Sequence, residues 1–515
     1  MTFAVGSVER APSDRCAGLA SLVWLRSLTS SHHVYLESAR GERTVTYGEL
    51  RRVAQRWATL LEDLDVRSGA TVGLAVAEPV EFAVAFLGIL ASGRTVAPLD
   101  PSATDAELTG ACARSAPRIV VADRPAPADA PAEWVTVPPG ACFLSGTASF
   151  ALGMPQAGAG GVVLSTSGTT GRAKVIRLDE GQLLHTAREV AGHLELSSGD
   201  RGFNPLPLFH INAEVVGLLA TLVSGAGIVL DDRFHRRGFW SAMSRHRVTW
   251  INAVPAILAR LSALDEGERV PEPVRVARSA SAPLPVPVLE RFEAATGIPV
   301  VETYGMTEAA SQITANPLHG PRKAGSAGVP AGTEVRVVVG ERDAVPCGEV
   351  GRVVIRGPSV IRAYASSGYE DRVDDDGWLE TGDLAYMDDE GYLFLVGRAD
   401  DVINRGGEKI YPKEVEDAVL SEPSVTSVAV VGWDHEVLGR VPVAYLAAEG
   451  VGGPADEAVA ASVVARVQQR CAELLSRPKR PVAYHVVERM PQGATGKVRR
   501  AALSGVPAVY SLLVR

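Results

Sequence analysis

The stretch LSTSGTTGRAKV, residues 164–175, gathers serine, threonine and glycine into one run and ends it on a lysine. The VVL before Ser165 reads as a strand and the EGQLLHTAREVAGHL that follows reads as a helix, so the run is a connector. Gly168 and Gly171 can take positive φ and let backbone N–H groups converge on an anion. Ser165, Thr166, Ser167, Thr169 and Thr170 add hydroxyl donors, and Lys174 adds a full charge. A phosphate site is the reading that uses all of these groups. A flexible loop rich in small residues is the plainer alternative. The spacing is not that of the Walker-type loop, so an ordinary nucleotide P-loop is not expected.

The rest of the chain narrows the class. At 515 residues it exceeds one ordinary core, so a large body plus at least one further unit is expected. A hydrophobic content of 46% with 22% charged residues suits a soluble globular protein. The net charge of −9 gives no basic field for a phosphate backbone, which excludes nucleic acid as an expected partner. Cys16, Cys112, Cys142, Cys347 and Cys471 are scattered and form no CxxC pair, so neither a disulfide framework nor a zinc site is indicated. A reducing cytoplasm is the expected setting. The N-terminal MTFAVGSVERAPSDR is unlike a secretory signal, and VVGLLATLVSGAGIVL (215–230) is too short to span a bilayer. That second stretch reads as a buried helix, a turn and a strand.

Helical and strand-like runs alternate from Tyr47 to Val121, which argues for parallel sheet covered by helices. RPAPADAPAEWVTVPPG (124–140) is a Pro/Ala-rich connector, and a second α/β stretch runs from about Val162 to Pro317. GTEVRVVV, GEVGRVVIRG and YLFLVGR are short strands between glycine turns and predict a β-rich subdomain. After GRADDVINRGG the pattern becomes a compact α+β tail. The expected fold class is therefore α/β: a large N-terminal domain of two α/β subdomains plus a β-rich subdomain, followed by a small α+β C-terminal domain. The expected boundary falls between residues 1–399 and 400–515.

TSGTTGRAK resembles the phosphate loop of the adenylate-forming superfamily, which includes acyl-CoA ligases, peptide-synthetase adenylation domains and beetle luciferases. The resemblance extends from about Tyr47 to Arg500, with Ala173 where proline is usual and Val175 where glycine is usual. It implies ATP, Mg²⁺ and CoA as cofactors, with Thr166, Ser167, Gly168, Thr169, Thr170, Gly171 and Lys174 on the nucleotide phosphates. ETYGMTEAA (302–310) is similar to the family's aromatic-Gly-x-Thr-Glu element. By that likeness Tyr304 and Gly305 face adenine, Thr307 touches the α-phosphate, and Glu308 with Thr170 holds Mg²⁺. A carboxylate oxygen suits that hard cation. RSASAPL (278–284) occupies the place of a Gly/Ala-rich strand end against adenine and the acyl group, with Ala280 and Ser281 replacing common glycines and Ser281 and Ala282 as contacts.

Further on, Asp383 in TGD is implied to accept from the ribose hydroxyls, Arg398 to make a second nucleotide contact, and Asp400 to act as a hinge about which a mobile tail domain rotates. Lys497 in PQGATGKVRRAAL resembles the family's catalytic lysine, a mobile cation that masks charge between acyl carboxylate and α-phosphate. Gly406 and Gly407 in NRGGEKIYPKEVE match a face that would pass a pantetheine arm in the second half-reaction.

The implied reaction is ATP-dependent activation of a carboxylic acid as acyl-AMP with release of pyrophosphate, then transfer to CoA. A free-standing carrier protein, an amine or another small nucleophile is the alternative acceptor, and a nucleotide-binding regulator without chemistry is the alternative of another class. In amino-acid-activating members an aspartate follows the phenylalanine of PLPLFHINAEVVG; here His210 stands there and is implied to sit beside the acyl tunnel. An unpaired buried ammonium is costly, so α-amino acids are disfavoured. The region from Pro205 to Val338 looks closest to oxalate–CoA ligases, but Ser311 and Gln312 follow TEAA where that branch usually has histidine. The expected substrate is a small or medium polar carboxylic acid, aromatic ones included.

Overall fold

The computed structural model describes residues 18–143, 160–166, 174–340, 342–493 and 498–514. These fall into two compact units, one of Met1–Asp200, Leu208–Asp232 and Tyr364–Ser367, the other of Arg201–Pro207, Arg233–Ala363 and Gly368–Arg515.

In the first unit a six-stranded sheet runs in the order Glu133–Thr136, Ile119–Ala122, Thr71–Ala75, Thr95–Pro98, Gly161–Thr166, Lys174–Asp179. Its first five strands are parallel and the last is antiparallel. Helix Pro79–Ala91 is apolar apart from Glu81, which pairs with Arg43, and buries every residue after Pro79. Helix Tyr47–Asp63 is amphipathic instead, burying Val53, Trp57 and Leu61 at four-residue spacing behind a Thr46–Glu49 capping box. The apolar stretch at 215–230 forms helix, turn and strand as its pattern predicts, with one addition. Residues Ala213–Leu219 are π-helical before Ala220–Ser224 returns to α geometry and Gly225 turns the chain into strand Gly227–Leu230.

One expectation is corrected here. The glycine/hydroxyl run leads not straight into a helix but into strand Lys174–Asp179, which pairs back on Gly161–Thr166 in the register Thr166↔Lys174 to Gly161↔Asp179. Asp179 ends that strand and also caps helix Glu180–His193 by accepting from the Gln182 N–H, so strand and helix share a residue. A further strand, Glu133–Thr136, lies within the Pro/Ala-rich connector.

The second unit holds the parallel strands Arg201–Asn204, Trp250–Ala253, Val276–Ser279 and Val300–Tyr304, extended antiparallel by Thr314–Ala315 and Val329–Pro330. The expected β-rich part is a five-stranded antiparallel sheet ending in Leu379–Met387 and Leu393–Arg398. In the tail, helices Pro412–Leu420 and Glu457–Leu474 bury Val415, Val419, Val463 and Val467 against Val430 and Leu446 of its sheet. Its last strand, Ala508–Leu513, lies beyond the expected elements. The mixed α/β class is as the alternation predicts. Among the described residues no helix is long and apolar enough to cross a membrane.

Candidate active site

Within the second unit, a strand end and a β-hairpin bring three of the expected site residues together. Tyr304 closes strand Val300–Tyr304, and its hydroxyl donates to Asp383 Oδ2 at 2.5 Å. Asp383 lies opposite Arg398 across the paired strands, with Arg398 Nη1 3.3 Å from its Oδ1. Burial, and then the adjacent Asp383 carboxylate, push the Tyr304 phenol well above its usual range. The phenol therefore stays a protonated donor. Asp383 lies beside a guanidinium and keeps 14% of its side-chain surface exposed, which suits an acceptor for neutral hydroxyls.

The turn after Tyr304 is fixed by its glycine. A Cβ on Gly305 would sit 1.4 Å from the Ser311 carbonyl oxygen, so no other residue fits. Thr307 and Glu308 lie on the short turn Thr307–Ala309, followed by left-handed Ala310 (φ 50°) and Ser311 (φ 95°). Glu308 is buried, and its carbonyl accepts from the Ile361 N–H at 2.9 Å. Ser281 is exposed at φ 71°, which explains why glycine is usual there: a side chain in that region costs about 1 kcal/mol or more. Ala282 is half-buried beside it.

In the first unit, Lys174 opens its strand with Nζ 5.0 Å from the centroid of the Tyr364 ring. Val175 on that strand donates to Ser366 Oγ and accepts from the Ala365 N–H, so the Tyr364–Ser366 segment clasps the strand that carries the lysine. Thr166 ends the partner strand, while Ser167, Gly168, Thr169, Thr170 and Gly171 lie outside the described residues.

His210 is half-buried against Phe209, ring centroids 4.6 Å apart. Burial holds its imidazole down at about 4, against an opposing pull from Asp100, so the ring is neutral near pH 7. Its Nε2 is buried and has no partner among the described residues.

The tail carries the remaining candidates. Asp400 is exposed on the turn Ala399–Asp401. Gly406 (φ 59°) and Gly407 (φ 94°) form the two-residue connection between Ile403–Arg405 and Glu408–Ile410, where paired positive φ angles favour glycine. A Cβ on Gly407 would meet nothing within 4 Å, so open space lies beside this backbone. Lys497 lies outside the described residues, but its flanks meet: Gln492 bridges Val498, and Arg499 donates to the Pro491 carbonyl.

Two residues escaped the sequence reading. Tyr364 carries no local signal, because its contact with Lys174 joins distant parts of the chain. Glu214 had one: a lone acid in the apolar run AEVVGLLATL. It sits on the π-helix, fully buried, with neither carboxylate oxygen partnered among the described residues, and burial raises its pKa well above 4.5. Above about pH 4.5 the unfolded chain releases this proton while the folded chain keeps it, so stability falls as pH rises toward the folded value. The loss is about 1.4 kcal/mol per pH unit over that window. Glu214→Gln is expected to lack this slope. Denaturant unfolding of both proteins at pH 5 and 8 checks it: parallel pH dependence would mean that Glu214 finds a charge partner.

Comparison with known proteins identifies the family. Residues 28–365 match the family model for AMP-binding enzymes, and residues 414–497 match the AMP-binding enzyme C-terminal domain. A sulfoacetate–CoA ligase of Cupriavidus necator is 35% identical over 503 residues, covering 94% of this chain and 97% of that protein. An oxalate–CoA ligase of Arabidopsis thaliana is 31% identical over 493 residues, covering 90% of this chain and 93% of the relative. The solved o-succinylbenzoate CoA synthetase of Bacillus subtilis, in complex with its acyl-adenylate intermediate, superposes with a TM-score of 0.82 at 28% identity, covering 95% of this chain and 98% of that one. The same enzyme has been solved with ATP and a magnesium ion. With the Tyr304–Asp383–Arg398 cluster in place and family models matching both the body and the tail, the chain belongs to the AMP-binding, adenylate-forming enzyme family.

Proposed function

We propose that this protein is an AMP-forming acid–thiol ligase: it joins a small or medium polar carboxylic acid to AMP, releases pyrophosphate, and passes the acyl group to CoA. The observation that carries this reading is the phenol–carboxylate–guanidinium cluster at the YGMTE turn, with Tyr304 buried and Asp383 still open to solvent, which pairs an aromatic ring with an anionic acceptor as adenosine requires. In this reading Tyr304 and Gly305 border the base, and Asp383 accepts from the ribose hydroxyls while Arg398 holds it in place. Thr307 and Lys174 meet phosphate oxygens.

Glu308 offers a buried hard oxygen donor on the same turn, which fits Mg²⁺, and the bound ion would neutralise phosphate charge. Lys497 would mask the remaining charge as carboxylate approaches α-phosphorus, in line and without a protein nucleophile. A neutral His210 places no fixed charge against the acyl group, which agrees with α-amino acids being disfavoured. Residues 400–515 would swing about Asp400, exchanging the Lys497 loop for the Gly406–Gly407 turn, whose open flank suits a thin pantetheine arm. The described free thiols of Cys112, Cys142, Cys347 and Cys471 agree with a reducing cytoplasm.

An acid panel with ATP, Mg²⁺ and CoA tests the reading through pyrophosphate release and mass detection of the product. The expected result is an acyl-CoA from a small polar acid, with one pyrophosphate for each thioester. Preference for long-chain or α-amino acids would overturn the substrate class. Product that forms equally well without CoA would move the acceptor to another nucleophile.

A further inference from the structure

Four buried polar side chains form a row in the second unit, three on its parallel strands and the fourth, Gln312, on the loop before strand Thr314–Ala315. Asn252 lies in register with Arg278 on the neighbouring strand, and Ile251 lies in register with Phe203, which sets Asn252 near Asn204 on the strand beyond. Asn204 Nδ2 donates to the Leu206 carbonyl and Asn252 Nδ2 donates to Asn204 Oδ1, both at 2.9 Å. Arg278 then reaches Asn252 Oδ1 at 3.4 Å and Gln312 Oε1 at 3.3 Å. All four are buried, Arg278 being 1% exposed.

This row is short of negative charge. Among the described residues Arg278 has no carboxylate partner, and its Nε and the Gln312 Nε2 have no acceptor at all. Burial alone lowers the guanidinium to about 9, with no acid opposing it, so it still carries its charge near neutral pH. A buried cation is ordinarily paired or saturated with hydrogen bonds. Arg94 shows how this chain satisfies a structural arginine: three bonds to the Val66 and Ser92 carbonyls at 2.6–3.0 Å. Arg278 has two long bonds to amide oxygens instead. It also stands at the carboxyl end of a parallel strand, where open α/β sheets bind ligands, and Gln312 follows the turn that carries Thr307 and Glu308.

Resting on the adenylation reading, we propose that Arg278 and Gln312 receive a second anionic group of the substrate, a carboxylate or sulfonate remote from the one that is activated. The enzyme's acid is then a dianion. The orphan N–H groups of the guanidinium and the carboxamide donate to its distal oxygens, and the anion supplies the missing counter-charge. Asn252 and Asn204 hold the guanidinium from behind as positioning residues.

The test compares matched acids on the full-length enzyme with ATP, Mg²⁺ and CoA. Oxalate, malonate, succinate and sulfoacetate are set against acetate, propionate, butyrate and monomethyl succinate. The parent is expected to favour dianions by about 10- to 100-fold in kcat/KM, the usual effect of a charge-assisted hydrogen bond. Carboxylate and sulfonate arms separate the two kinds of anion. In Arg278→Gln that ratio should collapse toward one, whereas Arg278→Lys, which keeps the charge, should restore part of it. A parent that prefers monoanions overturns the proposal while leaving adenylation intact. A ratio that Arg278→Gln leaves unmoved also overturns it, since a structural role lowers every acid alike. Should Arg278→Gln fail to fold, the parent's ratio and that of Arg278→Lys still decide. No pyrophosphate from any acid would sink the adenylation reading itself, and this proposal with it.

Discussion

Replacing Lys497 by alanine should lower ATP–pyrophosphate exchange by about 10²- to 10³-fold, the usual effect of removing one group that stabilises developing charge. Carboxylate and triphosphate are both anions, and the α-phosphorus gains negative charge as the new bond forms. A cation placed there acts on the transition state more than on bound ATP, so kcat should fall while KM for ATP changes little. The lysine belongs to the first half-reaction only. Acyl-adenylate supplied ready-made should still yield thioester in Lys497→Ala at a rate near the parent's. Undiminished exchange in the variant would remove Lys497 from the chemistry. Loss of both half-reactions together would point to a damaged tail instead.

The second large effect is expected at Asp383. Hydrogen bonds to a charged acceptor contribute about 1.5–3 kcal/mol each, so Asp383→Ala should raise KM for ATP by about 100-fold. It should also cost stability, because the buried Tyr304 hydroxyl loses the acceptor it holds at 2.5 Å. KM alone cannot separate these effects, but nucleotide discrimination can. The parent should use ATP far better than 2′,3′-dideoxy-ATP, and Asp383→Ala should scarcely distinguish them. A variant that keeps the parent's discrimination would place the ribose elsewhere.

The chemistry-bearing segments were legible because each is local. TSGTTGRAK, YGMTE, TGD and the C-terminal TGK each place their donors, carboxylates or cations within a few residues, so each carries the family resemblance by itself. Strands at 71–75, 95–98 and 119–122 and the helices between them follow from hydrophobic period for the same reason. Strand Lys174–Asp179 escaped because KVIRLD is short and its final aspartate doubles as a helix cap. The π turn at Ala213–Leu219 escaped because its apolar spacing suits an α-helix equally well.

Charge state and partnership are another matter. That Asp383 meets Tyr304, that Lys174 lies over Tyr364, and that Glu214 and Arg278 are buried without counter-ions among the described residues depend on segments far apart in the chain. Ser281 reads as an unremarkable substitution until its φ of 71° shows why glycine is usual there. Sequence alone determined the fold class, through local hydrophobic pattern, and pointed to the kind of reaction through the family resemblance that its short motifs carry. The tertiary structure decided which ionisable groups lose water and which find partners, because desolvation and hydrogen bonding act through space and not along the chain.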